Sequence, residues 1–113
     1  MIVSGNDLRM IRGDTEYLTV SCQTADGQPR PFVKGDRVQL TVAWRLGGEP
    51  VLSKTVETFE EDGTAVFLIA HADTNLLQAT TYCYDVQLTA ADGSVSTIVP
   101  PGKFCLEGDV TRE

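Results

Sequence analysis

The sequence predicts an all-β protein, an antiparallel sandwich of about seven or eight short strands. Residues 80–99 carry the clearest signal, because two alternating runs flank an Asp92-Gly93 linker, and such a linker is typical of a β-hairpin. In the first run apolar and polar residues alternate, as in a strand that buries one face and exposes the other to solvent. Similar runs, separated by Gly, Asp and Pro turns, recur along the chain. A small closed barrel is the alternative that this pattern leaves open.

The first half of the chain predicts three strands. Residues 8–11 form a short strand that ends at the Gly13-Asp14 turn, and residues 16–23 alternate as the second strand. A loop rich in Gly and Pro follows, because proline cannot donate to a strand ladder. Residues 37–45 are the longest β-rich run, and Trp44 is expected to anchor the core.

The second half begins with an imperfectly alternating run over residues 51–59, which is predicted to be an edge strand protected by its charges. Residues 64–70 are almost continuously apolar, which indicates a strand that is covered on both faces or contacts a partner. One short helical turn is predicted near residues 73–77, with Asp73 or Thr74 as its cap.

The last strand follows the hairpin turn. Residues 100–102, Pro-Pro-Gly, are expected to interrupt it, and the strand resumes over residues 103–110.

The inward parity of each strand predicts the core. The predicted core residues are Leu18, Val20, Cys22, Val38, Leu40, Val42, Trp44, Tyr82, Tyr84, Val86, Leu88, Phe104 and Leu106. In the continuous apolar run, Phe67 and Ile69 form a candidate interface, with a central covered strand as the alternative.

Length and charge limit the classes of protein to which the chain can belong. At 113 residues, 42% of them hydrophobic, the chain predicts a single domain over residues 1–113. Nine Lys and Arg against sixteen Asp and Glu give a net charge of −7, which disfavours nucleic acid and anionic membranes as partners. The N-terminus lacks the pattern of a signal peptide, and no apolar run approaches membrane-spanning length. We expect no membrane insertion, no signal-peptide secretion, and folding in a reducing cytoplasm.

The chemically distinctive residues predict no active site, cofactor or metal centre. His71 is the only histidine, so a catalytic or metal-binding set would need a carboxylate or thiol brought in by the fold, for which Asp73 is the only local candidate. Cys83 and Cys105 share the outward parity, and whether they pair stays open. The tripeptide at residues 12–14, Arg-Gly-Asp, resembles an adhesion motif, but its position at the entry to a strand favours a structural turn. We therefore predict a non-enzymatic protein.

Several positions imitate an immunoglobulin (Ig) domain. Cys22, Trp44 and Tyr82 follow the order of the Ig cysteine, tryptophan and corner tyrosine. The second Ig cysteine belongs two residues after the corner tyrosine, where this chain has Tyr84. Since Cys83 has the outward parity, no Cys22–Cys83 bridge is expected. The sequence thus predicts an Ig-like sandwich without the bridge.

Five segments together carry a family resemblance. They are residues 11–15 (Ile-Arg-Gly-Asp-Thr), residues 82–88 (Tyr-Cys-Tyr-Asp-Val-Gln-Leu), Asp92-Gly93, Thr97-Ile98, and residues 109–112 (Asp-Val-Thr-Arg). In this order they resemble the Ig-like domain of phage and prophage tail or baseplate proteins, such as the N-terminal domain of the baseplate upper protein. The resemblance spans residues 8–112.

The resemblance implies a structural, assembly or attachment module of a phage or prophage particle. Its partners would be other virion or tail proteins or a further copy of itself, and the protein would pass from the bacterial cytoplasm into the virion. The alternative is an Ig-like module that binds a host-surface glycan or protein. Because sugar sites present exposed aromatic rings, Tyr17, Phe32 and Phe59 are the candidates for it.

Overall fold

The computed structural model describes residues 1–111, which form eight strands and one short helix. The elements are β1 (Ile2–Ser4), β2 (Asp7–Ile11), β3 (Glu16–Val20), β4 (Arg37–Ala43), β5 (Pro50–Val56), β6 (Ala65–Ile69), α1 (His71–Thr74), β7 (Thr81–Thr89) and β8 (Val95–Glu107). Arg112, the last residue of the predicted family segment, lies outside the described residues.

The strands form a six-stranded sheet in the order β1-β2-β8-β7-β4-β5 and a two-stranded sheet of β3 and β6. This confirms the predicted β-sandwich and, because the sheets are separate, excludes the closed barrel. The separation of β3 and β6 from β4, β7 and β8 is that of the B and E strands from the C, F and G strands of an Ig domain. As predicted, β5 is an edge strand.

One pair of strands departs from the predicted antiparallel arrangement. β2 and β8 run parallel, with Leu8 opposite Phe104 and Met10 opposite Leu106, whereas the other strand pairs are antiparallel. Local alternation did not predict this pair, because it carries no information about a pairing between the two ends of the chain.

The core lies between the two sheets. All predicted core residues except Cys22 and Trp44 are buried. Several residues outside the predicted core set are also buried, and they come mostly from β2, β5 and β6: Leu8, Met10, Phe32, Leu52, Ala65, Phe67 and Ile69.

Trp44 and Cys22 were wrong as core residues, since the strands end before them. β4 ends at Ala43, and a turn in which the Gly48 N–H bonds to the Arg45 carbonyl (2.9 Å) follows. Trp44 is therefore 50% exposed, and its ring rests on Tyr82 with the centroids 5.1 Å apart. Cys22 follows the end of β3 and is only partly buried, at the margin of the core.

The helix begins two residues earlier than the predicted turn over residues 73–77. Asp73 lies inside α1, where its carboxylate accepts a hydrogen bond from the Ala70 N–H (2.7 Å). The next turn is closed by the Leu77 N–H and the Thr74 carbonyl (3.0 Å). The Asp73 side chain thus accepts the hydrogen bond of the Ala70 N–H, which has no partner within the helix.

The β7–β8 hairpin is confirmed, but the predicted break at residues 100–102 was wrong. β8 continues through both prolines, with register shifts opposite the segment from Tyr84 to Gln87. Proline is tolerated at such irregular positions because no ladder N–H is required there. The Pro100 carbonyl instead accepts a hydrogen bond from the Asn6 side chain (2.8 Å).

Two buried tyrosines of β7 donate hydrogen bonds to backbone carbonyls outside their strand. The Tyr82 hydroxyl donates to the Gln78 carbonyl at 2.7 Å, which is the geometry of a tyrosine corner. The Tyr84 hydroxyl donates to the Asn6 carbonyl and so ties β7 to the β1–β2 turn. Burial raises the pKa of both phenols.

The loops between β3 and β4 and between β5 and β6 are joined by polar bonds. Asp36 is almost completely buried, and its carboxylate accepts hydrogen bonds from Arg30 Nη1 (2.6 Å) and the Val33 N–H (3.0 Å). The Phe32 N–H donates to the Gly63 carbonyl (2.9 Å). The Arg30 hydrogen bond lowers the pKa of Asp36 below its ordinary value of 3.8, against the opposing effect of burial.

We predict that Tyr82→Phe lowers the free energy of unfolding by about 1 kcal/mol, because it removes one buried hydrogen bond and leaves the ring in place. Urea denaturation measures the change. The matched control is Tyr17→Phe, in which the lost hydroxyl belongs to an exposed ring. Equal stability of Tyr82→Phe and the wild type would contradict a stabilising tyrosine corner.

We predict that Asp36→Asn costs about 2 kcal/mol at neutral pH, since Arg30 loses its buried anionic partner. Because the folded-state pKa of Asp36 is lowered, its stabilisation is fully present above the ordinary value of 3.8 and disappears as the pH falls further. Thermal melts at several pH values test this. A difference between variant and wild type that stays constant down to about pH 2 would contradict the assignment.

Candidate functional site

The Arg-Gly-Asp segment is part of the fold. Arg12 Nε donates to Asp109 Oδ1 at 3.0 Å, and Nη1 donates to the Leu77 carbonyl at 3.3 Å. The Gly13 N–H donates to Thr74 Oγ1 at 2.8 Å. The guanidinium group of Arg12 therefore connects the segment before β3 to the segments that follow α1 and β8. An adhesive site needs this head free, which supports the structural interpretation of the tripeptide.

His71 also has a structural position. Its Nδ1 lies 2.6 Å from the Gly13 carbonyl oxygen, and because a carbonyl only accepts, Nδ1 carries the proton. Asp73, its local candidate partner, instead pairs with Lys54 Nζ at 2.7 Å. Among residues 1–111, no group of three or more His, Cys, Asp and Glu side chains is arranged to hold a metal ion.

The three cysteines are free thiols. Cys83 and Cys105 lie on the neighbouring strands β7 and β8, but Cys83 is opposite Lys103 and Cys105 is opposite Thr81. They are therefore diagonal neighbours rather than a directly opposed pair. Cys22 follows β3 of the small sheet, whereas Cys83 lies within β7 of the large sheet, and the two thiols form no bridge.

The interface predicted on β6 was wrong, because its two residues lie on the inner face of the strand. Phe67 and Ile69 are 1% and 0% exposed and pack in the core. Both parities of this strand are apolar, so alternation alone did not identify the inner face. Ala65, Phe67 and Ile69 fill the space between the sheets, and Leu68, which is 44% exposed, faces outward. Only the packing of the two sheets distinguishes these faces.

The outward side chains of β3 and β6 form an uncharged surface. Tyr17 lies opposite Leu68, and Thr19 lies opposite Val66; these residues are called the β3–β6 face below. Tyr17 is 65% exposed, and no residue of the face is charged. Directly opposed aromatic and aliphatic side chains support each other in a sheet. The face is thus ordered by its strand pairing and open to a partner.

Neither edge of this two-stranded sheet pairs with a third strand in the described residues. β3 pairs only with β6 in residues 1–111. β5 passes beside the far edge of β6, near the Lys54–Asp73 ion pair. Beside β3 there is instead a groove, lined mainly by apolar residues that include Val3, Leu18, Val20, Tyr84 and Val99. The backbone edge of β3 therefore borders an open apolar groove.

The aromatic residues proposed for glycan binding do not form one surface. Phe32 is buried, with its ring centroid 5.2 Å from that of Phe59, so it was wrong as an exposed sugar platform. Tyr17 is exposed, but its cross-strand neighbour is Leu68 rather than a polar side chain. Trp44, which sequence analysis placed in the core, is a further half-exposed aromatic residue.

No protein-family model, curated protein or solved structure matches this chain. The resemblance to tail and baseplate domains therefore stays a prediction. In the described part of the chain, no helix has the length and apolar character needed to cross a membrane.

We predict that Arg12→Gln lowers the free energy of unfolding by about 1–2 kcal/mol, because it breaks a half-buried ion pair and a bond to a carbonyl. The matched control is Arg9→Gln: Arg9 Nε lies 3.8 Å from Glu107 Oε1, and both side chains are at least half exposed. Its loss should cost less than about 0.5 kcal/mol. Equal effects in urea denaturation would contradict a structural role specific to Arg12.

Proposed function

We propose that the protein is a non-enzymatic interaction module that serves as a structural, assembly or attachment component of a phage or prophage particle of the tail or baseplate type. The observation that carries this proposal is the β3–β6 face, an ordered and uncharged surface on a sheet of only two strands. It acts through protein–protein contacts with other tail proteins or with further copies of the chain.

The distribution of charge supports a contact at this position. The chain carries a net charge of −7, so most of its surface repels other acidic surfaces. Tyr17, Thr19, Val66 and Leu68 carry no charge, and covering Tyr17 and Leu68 removes apolar area from water. The β3–β6 face therefore offers a contact with another protein without charge repulsion.

The roles of the chemically distinctive side chains support a function without catalysis. Arg12, His71 and Asp73 bond to neighbouring segments of the fold, and Asp36 neutralises Arg30. These groups hold loops together instead of converging on one cavity. The family resemblance supports a phage or prophage particle as the place where the protein acts. The protein would be synthesised in the bacterial cytoplasm and then incorporated into the virion.

The experiment is mass spectrometry of purified particles after prophage induction in the strain that carries the gene. We expect the polypeptide at a copy number stoichiometric with other tail components. A strain encoding Leu68→Lys should lose most of this incorporation, because the lysine places a charge in the apolar contact. The control is Thr55→Lys, which adds the same charge at an exposed position of β5 on the other sheet.

Absence of the polypeptide from intact, DNA-filled particles would overturn the proposed particle role. Equal incorporation of Leu68→Lys and Thr55→Lys would leave the protein in the particle but would overturn the β3–β6 face as its contact. Circular dichroism of both purified variants separates a lost contact from a lost fold.

A further inference from the structure

We infer that the outer face of the large sheet carries a binding site for a small zwitterion, a molecule of amino-acid size with one ammonium and one carboxylate group. The site is a cavity of about 130 Å³ beside the turn between β4 and β5, and it is called the turn cavity below. Because it lies on the six-stranded sheet, this inference goes beyond the proposed function and does not depend on the β3–β6 face. The lining of the cavity includes Thr41, Arg45, Gly48, Cys83, Asp85 and Pro101.

The outward side chains of two central strands form the floor of the turn cavity. Thr41 of β4 lies opposite Asp85 of β7, and Ala43 lies opposite Cys83. The residues that alternate with them along both strands are buried in the core. The strand pairing therefore places a hydroxyl, a thiol and a carboxylate at neighbouring positions on the outer face of the sheet.

One wall of the cavity is the turn that follows β4. The Gly48 N–H bonds to the Arg45 carbonyl (2.9 Å), and residues 45–48 all line the cavity. Gly47 has a φ of 76°, which is a left-handed conformation that favours glycine. A Cβ at position 48 would lie 3.1 Å from the Arg45 carbonyl oxygen. The two glycines therefore allow the tight turn that carries Arg45 beside the sheet.

Another wall is an irregularity in β8. On β7 one residue, Asp85, separates Tyr84 from Val86. On β8 two residues, Pro100 and Pro101, separate the partners of Tyr84 and Val86. Such β-bulges are over-represented beside functional sites, where they redirect side chains. Asp85 consequently has no directly opposed residue on β8, and Pro101 lines the cavity beside it.

Asp85 is an exception among the carboxylates that are buried or partly buried. Four such carboxylates in residues 1–111 form ion pairs within the chain: Glu16, Asp36, Asp73 and Asp109. Asp85 is also partly buried, but it forms no ion pair and no side-chain hydrogen bond with the described residues. Withdrawing a charge from water without a partner is unfavourable. The floor of the turn cavity thus holds a carboxylate that an external ammonium group can neutralise.

Arg45 supplies the opposite charge in the same cavity. It forms no ion pair with Asp85 or with another carboxylate of the described chain. Guanidinium groups bind carboxylates through two parallel hydrogen bonds. A ligand with both charges satisfies Asp85 and Arg45 together, whereas a simple cation is repelled by Arg45 and a simple anion by Asp85. The pair of unpartnered charges therefore favours a zwitterion over an ion of either sign.

The volume of the cavity limits the size of the ligand. Pockets for drug-sized molecules occupy about 300–1,000 Å³, whereas the turn cavity has about 130 Å³. This is the size of a single small amino acid. The Thr41 hydroxyl and the Cys83 thiol beside the carboxylate supply further groups that can donate or accept a hydrogen bond.

An NMR titration of the ¹⁵N-labelled wild type tests the site. Glycine, β-alanine and γ-aminobutyrate separate the ammonium from the carboxylate by one, two and three methylene groups. We expect at least one of them to cause saturable amide shifts confined to residues 41–48 and 83–85, with a dissociation constant on the order of 1 mM. Butyrate and butylamine, which each carry one charge, should bind at least about tenfold more weakly.

Two variants test the assignment of the charges. Asp85→Asn and Arg45→Gln should each raise the dissociation constant by at least about tenfold, because each removes a charged partner of the ligand. Arg37→Gln is the matched control, since Arg37 is an exposed arginine at the other end of β4, and it should bind like the wild type. Circular dichroism identifies a variant that does not fold, and the comparison of ligands on the wild type then decides the question.

No saturable shift at these amides with up to about 50 mM of any of the three zwitterions would overturn the inference. Equal binding of butylamine and the zwitterions, or unchanged binding by a folded Asp85→Asn variant, would also overturn it. Particle incorporation that depends on Leu68 is measured on the other sheet and is unaffected by these results. The two proposals therefore fail separately.

Discussion

The fold depends on covering the inner face of a six-stranded sheet with a sheet of only two strands. The inner face of the large sheet is a continuous apolar surface, and the side chains that cover it from the other layer include Leu18, Val20, Phe67 and Ile69. Each large aliphatic or aromatic side chain buried in this way contributes about 1.5–3 kcal/mol. Two strands alone are marginal in water, so the small sheet is held in place by this core. The inner positions of β3 and β6 are therefore required by folding, whereas their outer positions are not.

The open ends of the sandwich are closed mainly by polar contacts. At one end Arg12 pairs with Asp109, Gly13 bonds to Thr74, and the Tyr82 hydroxyl bonds to Gln78. At the other end the Arg30–Asp36 pair fixes the long loop before β4. The described residues contain no fully buried side-chain nitrogen or oxygen without a hydrogen-bond partner. The residue types that usually indicate catalysis or adhesion are thus explained by the need to satisfy polar groups where the two sheets end.

Local alternation was sufficient to predict much of this structure and insufficient at identifiable points. The parity of Tyr82, Tyr84, Val86 and Leu88 was predictable because one face of β7 is polar. Trp44 and Cys22 were misplaced because turns ended their strands earlier than the alternation did. The parallel β2–β8 pair joins distant segments, which local pattern does not encode. For the candidate site, the outward position of Tyr17 was predictable, but Leu68 was not, since both faces of β6 are apolar and only the packed core distinguishes them.

The edge of β3 cannot be explained by folding alone. Thr19 faces outward and is exposed, so a lysine at this position would leave the core unchanged and would protect the edge in the usual way. β5 in the same chain already has a lysine at an edge, which shows that this solution is compatible with the fold. Outward positions without charge on a sheet of only two strands carry a cost in aggregation unless a partner covers them. A specific contact with another protein, as proposed for the β3–β6 face, removes that cost.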